Sequence, residues 1–331
     1  MTLLLTNREI LPLLDMPRAI EAIEAAFRQQ GNRQVSEHAP FVVRAGGGKG
    51  GMRVITGGLQ GSGHMVVSLG GGTGPTIGAP PPEARRGGIV CLTDLAGNPL
   101  AVMSQAFGTL RTGAVVAVAT KYLAKTDAKR VGLIGPGRNA YDVLRGIACV
   151  RAIESFRVFG RNPENREAFA KEATKLIGLP VEPVGNAREA VAGMDIVLTQ
   201  TPSLQPVFDP DWVEAGQFIS ASGIGRVSEI HPDVFLRADQ IVVSSKEHDR
   251  NYFDPGPPMP ILDLIAHGKA SWEDIDELGD IVTGSASARQ SKEDVVVFHE
   301  SQGGITNVAL AEVIYEEAIK RGLGTNFDFG R

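Results

Sequence analysis

The sequence predicts an α/β chain in two parts: a smaller α+β unit, then a doubly wound parallel sheet with helices on both faces. Three observations predict it. From Arg130 onward, short continuous apolar runs alternate with amphipathic helical stretches, as strands buried on both faces require. Between residues 40 and 104 such runs follow one another with turn residues between them. The stretch "VGLIGPGRNAYDVL", residues 131 to 144, carries an apolar strand through glycines straight into a helix. At roughly 150 residues per domain, the 331 residues suffice for two cores.

The first helix reads "DMPRAIEAIEAAFRQQG". Asp15 is the expected N-cap, Pro17 lies in the first turn, and Ile20, Ile23 and Phe27 form an i, i+3, i+7 stripe. Gly31 is expected to close it. Strands are then predicted in "PFVVRA", "MRVIT", "HMVVSL", "GGIVCLTD" and "PLAVMS", the last two joined through the turn "DLAGNP". Many of the 40 glycines fall between residues 45 and 88. Because "MRVIT" and "HMVVSL" are embedded there, a sheet with glycine-rich connections near a ligand is preferred to a disordered linker.

Strand "RVGLIG" leads a helix running through Arg151, and "SFRVFG" leads one from Pro163 to about Ile177. "VEPV" and the short helical "NAREAVAG" follow, then strands in "DIVLTQ", "QFISASG", "DQIVVSS" and "DVVVFHE". The last helix, "TNVALAEVIYEEAIKRG", is expected to begin at a capping Thr306 and end at Gly322, returning to the first unit.

Bulk composition excludes several function classes. A net charge of −5 offers no electrostatic footprint for nucleic acid or an anionic membrane. No apolar run approaches the roughly 18 residues of a membrane span, and the N-terminus lacks a basic n-region with a small-residue cleavage site. Cys91 and Cys149 have no metal or redox spacing, and no pair among the six histidines has ligand spacing, so no metal is expected. A cytoplasmic location is the default expectation.

The glycine stretch fits a dinucleotide cradle of Rossmann type. It follows a buried strand and opens a helix at the start of a βα series. Gly135 would make the tight turn and Gly137 would let backbone approach the pyrophosphate. The polar pair Arg138-Asn139 and the small Ala140 begin the helix, whose N-terminus favours anions. The second strand ends in "RVFGRNPENR", with no carboxylate for a ribose 2′-hydroxyl but with Arg161, Asn162 and Arg166. A guanidinium suits a 2′-phosphate, so NADP(H) is favoured over NAD(H). Thr199, Gln200 and Thr201 end the fourth strand, and Ser222 and Gly223 end the fifth, beside the expected nicotinamide.

With these elements placed, the chain resembles the ornithine cyclodeaminase/mu-crystallin family over nearly its whole length. The resemblance rests on "TLRTGAVVAVATKYLA" (109 to 124), "LIGPGRNA", "MDIVLTQTPSLQPVF", "ELGDIVTG" (277 to 284) and "FHESQGGITNVALAEVIYEEAIKRGLG". It implies a Rossmann-type doubly wound parallel sheet domain inserted in an α+β substrate and dimerisation domain. Residues 1–118 with 305–331 would form the latter, and 119–304 the former. It implies a homodimer and chemistry that interconverts an amine and an imine beside a carboxylate. Arg111 would face the active site and Thr112 the cofactor.

Departures from the family pattern shape the expected pocket. The family's strand lysine falls on Met65, the arginine after the early proline on Phe41, and a C-terminal aspartate on Asn307. The loop "SGIGRVSEI" has no aspartate. Ornithine cyclodeamination is therefore not expected. An imine or ketimine reductase, or an opine-type amino-acid dehydrogenase, is expected instead, with a cofactor-binding protein of little turnover as the alternative. His64, beside the missing lysine, is the first acid–base candidate; Arg53, Arg44 and Lys49 are others. Met65, Arg44 and Arg111 are expected to line the substrate pocket. His299 and Glu300, at the end of the last strand, lie on the same expected edge.

Overall fold

The structure is a computed structural model describing residues 1–44, 51–71, 88–222, 228–251, 259–301 and 303–330, with only the backbone of Arg44 and Gly71. Lys49 and Gly223 lie outside the described residues, as does the side chain of Arg44.

The first sheet contains β1 (Thr2–Leu5), β2 (Val35–Arg44), β3 (Gly51–Leu59), β4 (His64–Gly71), β5 (Ile89–Asp94) and β6 (Pro99–Ser104). With β15 (Thr325–Phe327), the order is β15-β1-β6-β5-β4-β3-β2. Neighbours are antiparallel except β1 and β6, which run parallel. The β5–β6 turn closes as expected: Asp94 Oδ1 accepts from the backbone N–H groups of Ala96 and Asn98, and Gly97 takes a φ of 82°.

Helix α10 (Gly304–Arg321) lies on the inner face of this sheet, in contact with β2, β3, β4 and β5, and α2 (Met16–Gly31), following the short α1 (Asn7–Ile10), packs against α10. Asp15 caps α2 by accepting from the Arg18 N–H. Gly31 serves another purpose than the one expected. It is the last helical residue, without a positive φ, and a Cβ there would stand 2.2 Å from the Gly279 carbonyl oxygen. Its missing side chain lets α9 (Leu278–Thr283) approach. Thr306 is likewise no cap: α10 begins two residues earlier, and Thr306 is buried in its first turn. Gly322 closes α10 in the left-handed conformation, as expected.

The second sheet is parallel throughout, in the order β13-β12-β14-β11-β10-β7-β8-β9. Its strands are β7 (Arg130–Ile134), β8 (Ser155–Phe159), β9 (Val181–Pro183), β10 (Ile196–Thr199), β11 (Phe218–Ser222), β12 (Gln240–Val243), β13 (Ile275–Glu277) and β14 (Val296–Glu300). The chain leaves β7 toward β8 and β9, then returns to add β10 on the other side. Between β7 and β10 lies the point where strand order reverses, the usual ligand crevice of such sheets. One face is covered by α3 (Gly108–Leu123), α4 (Arg138–Val150) and α5 (Pro163–Ile177), the other by α6 (Pro232–Arg237) and α8 (Pro260–Ala266). Phe156, Phe218 and Phe298 are fully buried, each contributing about 1.5–3 kcal/mol.

Helix α3 joins the two halves and runs unbroken across residue 118. Residues 112 to 120 are all buried, so this helix has no solvent face in its centre. Its small residues permit backbone contact with α4: a Cβ on Gly113 would stand 2.4 Å from the Asp142 carbonyl oxygen. The Thr109 hydroxyl also donates to Asp142 Oδ2 at 2.6 Å. The first turn of α3 is thereby fixed relative to α4.

Candidate active site

The loop after β7 has the geometry that a pyrophosphate needs. Gly135 adopts φ 100°, and its N–H donates to the Phe159 carbonyl at the end of β8. Gly137 is the N-cap of α4, and the position of its absent Cβ is nearly open, the nearest atom being Gln200 O at 3.8 Å. The side facing away from the sheet is therefore bare backbone at the start of a 13-residue helix. Ala140 is buried where helix meets strand, Arg138 is exposed and Asn139 half-buried. These residues fit a dinucleotide.

At the end of β8 the three polar candidates take different roles. Asn162 caps α5, accepting from the Asn165 N–H at 2.8 Å. Arg166 donates to the Gly160 carbonyl at 3.0 Å and lies over the Phe159 ring, shaping the strand end. Arg161 is exposed.

The tips of β10, β11 and β14 complete the edge. Gln200 Nε2 donates to Ser222 Oγ at 2.8 Å, joining β10 to β11. Thr199 donates its hydroxyl to Glu229 Oε2 at 3.1 Å, and the Thr201 N–H donates to Glu229 Oε1. Burial pushes the Glu229 carboxyl up to about 7, against the lowering effect of those bonds and of His299. Sequence reasoning did not single out Glu229, since a glutamate in a glycine-containing loop reads as solvated. His299 Nδ1 is 3.1 Å from Asp249 Oδ2 on α7 (Lys246–Asn251). A small cavity beside it is lined by Ala221, Glu229, Ile230, Phe235, Met259 and His299.

Successive residues of a strand face opposite ways, and β14 separates His299 from Glu300. Glu300 faces α3, with Oε1 3.7 Å from Arg111 Nη1, and both side chains are nearly buried. Arg111 also reaches Thr306 Oγ1 at 3.5 Å and Thr112 Oγ1 at 3.4 Å. Burial lowers the proton affinity of Arg111, Glu300 raises it and the nearby Arg53 lowers it; a guanidinium stays charged regardless. Asn307 donates to Ser68 Oγ at 2.9 Å across the α10–β4 contact. The structure therefore brings Arg111, Arg53, Thr112 and Glu300 together.

His64 and Met65 stand elsewhere. His64 shares the inner face with Ser68 but lies four residues, about 13 Å, along the strand. Its Nδ1 is 2.9 Å from Glu312 Oε1 on α10. Met65 takes the opposite face, across from Gly58, where an added Cβ would meet Met65 Cγ at 3.2 Å. Phe41 is on that outer face too, half exposed. Among the described residues no group of three His, Cys, Asp or Glu could hold a metal ion, and no helix is long and apolar enough to cross a membrane.

The chain is 34% identical over 248 residues to a Delta(1)-pyrroline-2-carboxylate reductase of Bacillus cereus, covering 73% of this chain and 74% of that one. It is 30% identical over 339 residues to an alanine dehydrogenase of Archaeoglobus fulgidus, covering 100% and 99%. Among solved structures, the Thermococcus litoralis Delta(1)-pyrroline-2-carboxylate reductase in complex with NADH and L-proline superposes with a TM-score of 0.87 at 28% identity. That match covers 98% of this chain and 100% of the other. An archaeal alanine dehydrogenase dimer with bound NAD gives 0.86 at 28% identity, covering 99% of each. The model of the ornithine cyclodeaminase/mu-crystallin family matches residues 1–322, and the chain belongs to that family.

Proposed function

We propose that this chain reduces a small imine carrying a neighbouring carboxylate, or oxidises the corresponding amino acid. It is an NAD(P)-dependent oxidoreductase acting on carbon–nitrogen bonds. The observation that carries the substrate reading is Arg111, a buried guanidinium with Arg53 beside it, on a helix fixed to the dinucleotide helix through Thr109 and Asp142. Such a pair suits a carboxylate. The relatives named for pyrroline-2-carboxylate and alanine support the same class.

In this reading the bound nicotinamide supplies or accepts the hydride. Gly135, Gly137, Arg138, Asn139 and Ala140 hold the pyrophosphate. Thr112, Thr201 and Ser222 border the nicotinamide end, and Arg111 orients the substrate's carboxylate. Arg161, exposed at the end of β8, favours NADP(H) over NAD(H). Residues 1–118 with 305–331 form the substrate and dimerisation unit, and 119–304 the inserted cofactor unit. A second copy covers the outer face of the first sheet, where Phe41, Val43, Met52 and Ile89 are each 40–51% exposed.

The test mixes the protein with NADH or NADPH and a panel of 2-oxo acids with and without amines, and with Δ1-pyrroline-2-carboxylate. Loss of reduced-nicotinamide absorbance with an imine is the expected result. Tight coenzyme binding without oxidation by any member of the panel overturns the reading in favour of a binding protein.

A further inference from the structure

We propose that Glu300 is the proton donor of this reaction, delivering a proton from its carboxyl group to the substrate nitrogen while Arg111 holds the substrate carboxylate. The proposal rests on the reductase reading above and adds a residue to it.

Glu300 ends β14, opposite Ser222 of β11 in register, at the carboxyl edge of the sheet. Its side chain is 5% exposed, and among the described residues its Oε1 has no hydrogen-bond partner. Two other buried carboxylates in this half are tied into the framework, Glu229 holding the tip of β10 and Asp195 bonding the backbone of Lys129 and Arg130, while Asp249, also with one unpartnered oxygen, meets His299 through the other. Glu300 instead meets Arg111 across 3.7 Å, too long for a hydrogen bond. The pair is electrostatic and loose, so Arg111 can exchange partners.

The competing donors are committed elsewhere. His64 is bound to Glu312, Met65 carries no proton and faces away, and His299 turns toward Asp249 on the other side of the sheet. The charged and titratable groups around Glu300 are Arg111 from α3, with Arg53 from β3 and the buried His248 of α7 also near Arg111, and, across the sheet, His299 of its own strand and Asp249 of α7. Burial already raises its proton affinity, opposed first by Arg111. A substrate carboxylate arriving at Arg111 takes over much of that opposing charge. Glu300 is then an uncompensated buried carboxylate and takes a proton from solvent. Binding the substrate loads the donor.

The step balances simply. A hydride forms the new C–H bond, and the nicotinamide that supplies it is oxidised. The C=N π pair moves to nitrogen, which forms an N–H bond with the proton leaving Glu300. Amine and glutamate carboxylate result, and a proton bound with the next substrate restores the acid.

The experiment measures proton uptake by calorimetric titration of the protein, saturated with oxidised coenzyme, with cyclopentanecarboxylate in buffers of different ionisation enthalpy. This ring acid has a carboxylate but no nitrogen. Wild-type protein is expected to take up a substantial fraction of about one proton per site. Glu300→Gln is expected to bind the acid without uptake and to lose at least about 100-fold in imine reduction. L-Proline, whose ammonium pairs with ionised Glu300, is expected to bind with little uptake. Binding without uptake in the wild type, or uptake unchanged in Glu300→Gln, overturns the role of Glu300 and leaves the reductase reading standing. If no carboxylic acid binds, the anion site at Arg111 is wrong and both readings fall.

Discussion

A methyl group on Gly135 would stand 2.5 Å from Cγ2 of Thr201, so the loop after β7 and the tip of β10 touch through a missing side chain. The left-handed φ of Gly135 adds strain to any replacement. Gly135→Ala is expected to destabilise the fold by about 2 kcal/mol or more and to abolish coenzyme binding. Gly137→Ala meets no atom nearer than 3.8 Å. It is expected to melt near the wild type yet weaken coenzyme binding at least about tenfold, because the new methyl fills the place of a phosphate. Thermal melts and coenzyme fluorescence titration separate the two.

Arg161 is the residue proposed to select the coenzyme. Asn162 is occupied as a helix cap and Arg166 by the Gly160 carbonyl, which leaves the exposed Arg161 guanidinium for a 2′-phosphate. Arg161→Ser is expected to raise the Kd for NADPH by about tenfold or more, a charge-assisted contact of roughly 1.5–3 kcal/mol, while NADH changes little. Equal effects on both coenzymes would show that Arg161 does not read the phosphate.

The buried Glu229 makes stability fall as pH rises. Its folded pKa of about 7 lies above its ordinary value of 4.5, so the folded state holds the proton more tightly. The resulting stabilisation is complete below the ordinary value and is lost as pH rises through 7. From pH 5 to pH 8 this amounts to about 3 kcal/mol at most. Denaturant melts across that range should show the decline, and Glu229→Gln should flatten it.

Asp195 works with the opposite sign. Burial alone would raise its pKa, but bonds from the Arg130 side chain, the Lys129 and Arg130 N–H groups and Lys125 pull it well below the usual carboxylate range. Its contribution is present above the ordinary carboxylate pKa and disappears as pH falls toward the depressed value. Asp195→Asn is expected to destabilise by about 2 kcal/mol at neutral pH, with the gap to wild type narrowing in acid. A gap that stays constant down to pH 2 would contradict the ion-pair account.

The sheet strands and helices were legible where their signals are local. Helix α5 spans Pro163–Ile177, as read from its sequence, since Asn162, Pro163 and the left-handed Gly178 all act within a turn of its ends. The glycine loop between β7 and α4 was legible for the same reason: strand, glycines and helix are contiguous. Thr306 and Gly31 show the weakness of such signals. Each has the composition of a cap, but one is buried within the helix and the other exists for a neighbouring helix.

The chain's local chemistry thus specified its alternating sheet and its glycine loop, while the resemblance to the family singled out Arg111. Which neighbours surround Arg111 was settled by long-range pairing. His64 and Glu300 both lie at strand ends, and the sequence put His64 first. The register of β4 against β3 and of α10 across both gives His64 to Glu312, whereas the pairing of β14 with β11 points Glu300 at α3. Side-chain direction alternates with every residue, so a carboxylate's partner depends on contacts between segments nearly two hundred positions apart, beyond the reach of any window along the chain.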